Sequence, residues 1–156
     1  MTRRTFVVCV CLLACCLASA AADKPDFSGN WKLNVEKSDF GPMPKPEKAD
    51  YVISHKDPAM NVKQTAVTQM GEMTSDVKIL TDGTEFTNTL RGQEVKGTAK
   101  WDGNILVVTQ KLEIQGNTIT FVQKWNLSED GKSITQDVEI STPQGPITTK
   151  TVLDKN

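Results

Sequence analysis

Beyond residue 22 this chain has no cysteine. All four, Cys9, Cys11, Cys15 and Cys16, fall before that point. The remainder therefore has no disulfide framework, no thiol nucleophile and no thiolate ligand for a metal. Histidine is nearly as scarce: His55 is the single imidazole, too few for a zinc site and a thin basis for a Ser-His-Asp arrangement. Gly-x-Ser-x-Gly elbows and phosphate-cradling glycine loops are missing as well. Ser128-Glu129-Asp130-Gly131 lacks the alternating oxygen ligands of a calcium loop. Of the acidic pairs, Asp137 and Glu139 fall on the outward side of a strand, and Glu113 lies beside a turn. The expectation is a protein with no catalytic residues, no metal and no cofactor.

Charge of one sign is not concentrated anywhere either. Removing Arg3 and Arg4 takes the basic count from 18 to 16 against 19 acids, a formal net charge of about −3. Lys45 and Lys48 are separated by Pro46 and Glu47. This pattern argues against nucleic acid and against an anionic membrane as partners.

The first 22 residues read as an export signal. Arg3 and Arg4 give a positive start, residues 5–17 an apolar run, and Ala18-Ser19-Ala20 or Ala20-Ala21-Ala22 the small residues of a cleavage site. The run is too short for a transmembrane anchor, so the chain is expected to be secreted or periplasmic. In an alternative reading, Leu12-Leu13-Ala14 before Cys15 is a lipobox, and Cys15 is the lipidated N-terminus. Residues 23–156 suit a single domain. Without disulfides, that domain needs a closed and well-packed core.

From Trp31 onward the apolar period is two, with no helical period of 3.6. Asp57-Pro58, Asp82-Gly83, Arg91-Gly92, Asp102-Gly103, Gln115-Gly116-Asn117, Asp130-Gly131 and Gln144-Gly145 punctuate it as hairpin turns. The spacing predicts an all-β, antiparallel, up-and-down barrel of about 8–10 strands. Their spans are 30–35, 50–56, 60–68, 74–81, 84–90, 94–101, 105–114, 118–127, 133–141 and 147–154. Residues 36–49, with prolines at 42, 44 and 46, form an extended loop over the barrel mouth or its outer wall.

Side-chain alternation names the inward face. It is apolar except at Gln64, Asn88, Gln110, Gln123 and Gln136, with His55 near a strand end. In a filled core each unpaired amide would cost about 1–3 kcal/mol, whereas a partly wet cavity accommodates them. The predicted ligand-binding set is therefore Tyr51, His55, Gln64, Asn88, Gln110, Phe121, Gln123, Trp125 and Gln136. A bulge that slips the parity would instead place some of these amides outside.

Phe27-Ser28-Gly29-Asn30-Trp31-Lys32-Leu33 resembles the Gly-x-Trp opening strand of the calycin superfamily, which comprises lipocalins and fatty-acid-binding proteins. Together with Trp101-Asp102-Gly103 and residues 125–131, it is similar to small exported lipocalin-like proteins of soil bacteria. The resemblance implies that Trp31 closes one barrel end against a basic residue of the last strand, here Lys150 or Lys155, with Trp101 also structural. The chain departs from the fatty-acid-binding pattern in two ways: residues 36–49 cannot supply two helices, and the carboxylate-binding arginine has no clear counterpart.

Three functions remain open. The leading expectation is a monomeric exported protein that binds a small apolar or amphipathic molecule inside the barrel. The second is a filled barrel acting as a protein or envelope interaction module. The third is an enzyme using His55 or an acidic pair as base.

Overall fold

The computed structural model describes residues 24–156. The export signal read over residues 1–22 and the lipidation alternative at Cys15 lie outside the described residues. Ten strands follow one another: β1 Gly29–Leu33, β2 Lys48–Lys56, β3 Ala59–Thr68, β4 Gly71–Leu80, β5 Phe86–Leu90, β6 Gln93–Asp102, β7 Ile105–Ile114, β8 Asn117–Leu127, β9 Ser133–Thr142 and β10 Gly145–Lys155. They form one antiparallel sheet in the order β4-β3-β2-β1-β10-β9-β8-β7-β6-β5. The meander predicted from the turn residues is the one observed. The largest displaced boundary is the start of β4: Gly71, at φ +108°, closes a tight turn, so the strand begins there rather than at Thr74.

The barrel is closed by two seams of different kinds. Between β1 and β10 it is a backbone ladder that pairs Trp31 with Lys155 and Leu33 with Leu153. Between β4 and β5 the seam is a side chain. Asn88 Oδ1 accepts from the Lys78 backbone N–H at 2.9 Å, and Asn88 Nδ2 donates to the Lys78 carbonyl at 2.8 Å. The Asn88 amide thus stands in for the peptide group that a paired strand would have supplied.

One end of the barrel is packed solid. The segment before β1 turns across it and seats Phe27, which is fully buried. The Phe27 ring lies parallel to Trp101 at 5.9 Å and edge-on to Trp125 at 5.8 Å. Both arrangements suit the charge distribution of aromatic rings. Trp31 Nε1 donates to the Phe27 carbonyl at 2.9 Å, so this buried indole donor is satisfied as the plug is held. Gly29 has φ +139°, and a Cβ there would lie 3.3 Å from the Lys155 stem and 3.6 Å from the indole nitrogen of Trp31. Glycine therefore lets the tryptophan and the lysine fold back over the strand.

The basic residue over Trp31 is Lys155, with Nζ 5.3 Å from the ring centre, a cation–π distance. Lys150 is not that residue. It is exposed on the outer wall, and its backbone N–H and carbonyl bond Asp39 at 2.7 Å each. Register explains the difference: Lys155 stands opposite Trp31 in the ladder, whereas Lys150 lies beyond the end of β1. The 36–49 segment takes up that vacated stretch of β10. It also reaches β3, where the Glu47 N–H donates to the Val67 carbonyl at 2.9 Å, and so crosses the rim of the other end.

Truncation of Trp31 to Ala is expected to destabilise the fold by about 3–5 kcal/mol; an unchanged melting temperature would contradict its role. Asn88→Leu removes both bonds across the β4–β5 seam and is expected to cost about 1–3 kcal/mol. Hydrogen exchange at the Lys78 amide should then accelerate more than at its neighbours, and unaltered protection there would show that the seam closes by other means.

Candidate functional site

Away from the plugged end the barrel encloses a cavity of about 210 Å³. Its wall is formed by Tyr51 on β2, Val62 and Gln64 on β3, Ser75, Val77 and Ile79 on β4, Leu90 on β5, Gln110 on β7, Gln123 and Trp125 on β8, and Gln136 and Val138 on β9. Each is brought inward by strand alternation, and the ladders bring their polar ends together. Tyr51 is the register partner of Gln64, and Gln64 Nε2 donates to the Tyr51 hydroxyl at 3.0 Å. Gln123 Nε2 donates to Gln110 Oε1 at 3.1 Å, while Trp125 Nε1 donates to Gln123 Oε1 at 3.1 Å. Gly97 makes room on β6: a Cβ there would meet the Phe86 ring at 2.6 Å and Gln110 Cγ at 3.0 Å.

Among the described residues, two buried side-chain polar atoms stay unmatched. Gln136 is buried, with 7% of its surface exposed, and its Nε2 has no hydrogen-bond partner. Trp101 Nε1, at the plugged end, is in the same condition. An unpaired buried amide costs about 1–3 kcal/mol, which marks the Gln136 side of the cavity as a place where a ligand atom or a water belongs. Among the described residues, no acid or base lines the cavity.

Of the nine residues predicted to bind a ligand, the cavity unites six: Tyr51, Gln64, Gln110, Gln123, Trp125 and Gln136. Phe121 shares their strand face and is half-buried beside Gln110 and Ile140 in register, outside the cavity wall. Asn88 points inward as expected, but its amide is committed to the backbone of Lys78.

His55 belongs to the plugged end. Its side chain is 4% exposed; Nδ1 accepts from the Phe27 N–H at 3.3 Å, and Nε2 stands 2.9 Å from Asp57 Oδ1. With Nδ1 accepting, the proton sits on Nε2 and is donated to Asp57. Asp57 also accepts from Thr81 Oγ1 at 2.6 Å. Burial pushes the Asp57 carboxyl up, but the Thr81 and His55 bonds outweigh it and hold the group below the usual carboxylate range. The imidazole therefore clamps the plug segment to the β2–β3 turn.

The predicted set left out six cavity residues: Val62, Val77, Ile79, Leu90 and Val138, whose apolar parity names them as core, and Ser75, which the parity did not place on the inward face. Ser75 stands two residues before Val77 on the same face, but its polar neighbours Thr74 and Asp76 hid the alternation. A larger hollow of about 290 Å³ lies on the outer wall among Asp39, Lys124, Asp137, Glu139 and Lys150. Its charged side chains are exposed and hydrated without help, so nothing there calls for a ligand.

Burial raises the Tyr51 phenol to about 12, a rise that the Gln64 bond only partly offsets. It is the single tyrosine of the chain, so phenolate absorbance reports it alone. A folded pKa above the unfolded value of about 10 means that the neutral phenol contributes stability fully below about pH 10, and that this contribution is lost as pH rises towards 12. Absorbance titration of the native protein is expected to show a midpoint well above that of the denatured chain; coincident midpoints would place Tyr51 in water.

No protein-family model matches the chain, and no curated protein sequence is significantly similar to it. Solved structures do match. An abundant heat soluble (SAHS) protein from Ramazzottius varieornatus superposes with a TM-score of 0.59 at 13% identity, covering 83% of this chain and 94% of that one. The zebrafish ileal bile acid-binding protein, solved in complex with cholic acid, gives 0.58 at 16% identity over 83% and 98%. Human cRBP IV gives 0.52 at 17% identity over 85% and 99%. At these identities the likeness is one of architecture: the chain folds as a ten-stranded antiparallel barrel, as those proteins do.

Proposed function

We propose that this protein is an exported binder that holds a small, partly apolar molecule in the barrel cavity. The observation that carries the reading is the cavity itself: about 210 Å³ of interior left unfilled, with apolar walls and a few converging polar groups. That composition is typical of ligand sites. A volume below the usual range of about 300–1,000 Å³ points to a compact ligand. The zebrafish bile acid-binding protein, solved with cholic acid, supports the reading by sharing the architecture.

Export rests on residues 1–22 being removed as a signal. The resemblance of the Gly29-Asn30-Trp31 motif to that of small exported bacterial lipocalin-like proteins supports this part of the reading. Catalysis is disfavoured because both nitrogens of His55 are occupied at the plugged end, away from the cavity wall. The interaction-module reading is disfavoured because the exposed large apolar residues, Met43, Val52 and Met70, are spread over three separate elements, and no strand presents an apolar outer stripe.

Alkylbenzenes test this reading, since they are compact enough for the volume and match the apolar part of the wall. Titration with ethylbenzene, followed by methyl NMR, is expected to give saturable shifts at Val62, Val77 and Val138. Val77→Trp should fill the space and weaken binding by at least about tenfold while the barrel stays folded. Absence of saturable shifts, or shifts confined to surface methyls, would overturn the reading.

A further inference from the structure

We infer that the cavity selects an uncharged ligand and grips it through a hydrogen-bond acceptor presented to Gln136. The inference rests on the proposed binding function and narrows it to a chemical class: compact neutral molecules with an apolar body and a carbonyl, ester or ether oxygen. Two observations carry it.

The first is electrostatic. The cavity wall holds amides, one phenol, one hydroxyl and one indole, and not one acid or base. The phenol is itself held neutral by burial. A carboxylate entering this space gives up its hydration and meets no counter-charge, and in a low-dielectric surrounding hydrogen bonds from neutral donors replace that hydration incompletely. The preference for a neutral ligand follows from what the wall is made of.

The second is the inventory of hydrogen bonds. Gln64, Gln123 and Trp125 each donate to a neighbour within the wall. Each of those bonds fixes the orientation of its donor along the wall, although an amide nitrogen carries a second N–H. Gln136 differs from those donors. It is buried, it lines the same cavity, and its Nε2 donates to nothing. It stands opposite Trp125 in the β8–β9 ladder, so an acceptor bonded to Gln136 has the indole beside it as an apolar wall. Its Nε2 is itself closed off from the empty cavity, so the terminal amide meets a ligand by turning about its last bond, and the same turn can offer its oxygen. A ligand hydroxyl is therefore tolerated, but the unmatched donor makes an acceptor the better fit.

Acetophenone and benzoate are nearly equal in shape and differ in charge, and ethylbenzene supplies the same body with no polar atom. Their affinities are to be compared at neutral pH by methyl-shift titration on the full mature chain. Acetophenone is expected to bind at least about tenfold more tightly than benzoate. In Gln136→Leu its affinity should fall about three- to tenfold, the ratio that one net hydrogen bond gives, while ethylbenzene should change by less than about twofold.

Benzoate binding as tightly as acetophenone would overturn the selection of neutral ligands, and this comparison needs no variant. Acetophenone binding no more tightly than ethylbenzene, or unchanged by Gln136→Leu, would overturn the role of Gln136 while leaving the cavity reading standing. If ethylbenzene and acetophenone both fail to bind, the cavity reading fails, and the selection with it.

Discussion

Ten antiparallel strands enclose more space than their inward side chains fill. An eight-stranded barrel is about the size at which side chains close the interior, and two further strands widen the circumference beyond that limit. Every other feature is a response to this excess. At one end the response is to add mass: the segment before β1 contributes Phe27, stacked among Trp101, Trp125 and His55, and Trp31 binds the segment's backbone. In the remaining half the space is left, and polar side chains appear on the inner face.

These two solutions depend on each other. With no disulfide available beyond residue 22, stability has to come from burial and from the seams. Burial is concentrated where the aromatic rings lie, with Phe27, Trp31, Met60, Leu106, Ile134 and Leu153 fully enclosed. That packed end supports a half-filled remainder, in which Gln64 pairs with the Tyr51 hydroxyl and Gln123 with Gln110. Buried polar groups so arranged are tolerable because each has a partner, and the exception at Gln136 stands out against them. The neutrality of the wall belongs to the same logic, since an acid or base in a space of this polarity would need a partner that the barrel does not provide.

Much of this was legible in the sequence because the fold is a meander. Hairpin turns announce themselves through Asp-Gly and Gly-Asn pairs, and a period of two assigns each residue to a face without knowledge of distant contacts. Six cavity residues followed from that parity alone. Parity says which way a side chain points, however, and not what it meets there. Asn88 faces inward as the alternation requires, yet it serves the β4–β5 seam, a partnership set by which two strands end up unpaired. His55 lies on the inward parity too, at a strand end that the plug covers; the plug precedes the first strand and carries no periodic signal. The choice of Lys155 over Lys150 for Trp31 depends on register, which the sequence left open by several residues. Ser75 was hidden by polar neighbours on the opposite face.

The account stands on the interior being a site that a molecule occupies, and native mass spectrometry of the mature protein from its own host's exported fraction tests this most directly, with the same sample measured again after denaturation. The account predicts a small uncharged molecule that travels with the folded barrel and is released when it unfolds. A bare polypeptide mass from the folded protein, unchanged when compact neutral aromatic ketones are added in excess, would contradict it.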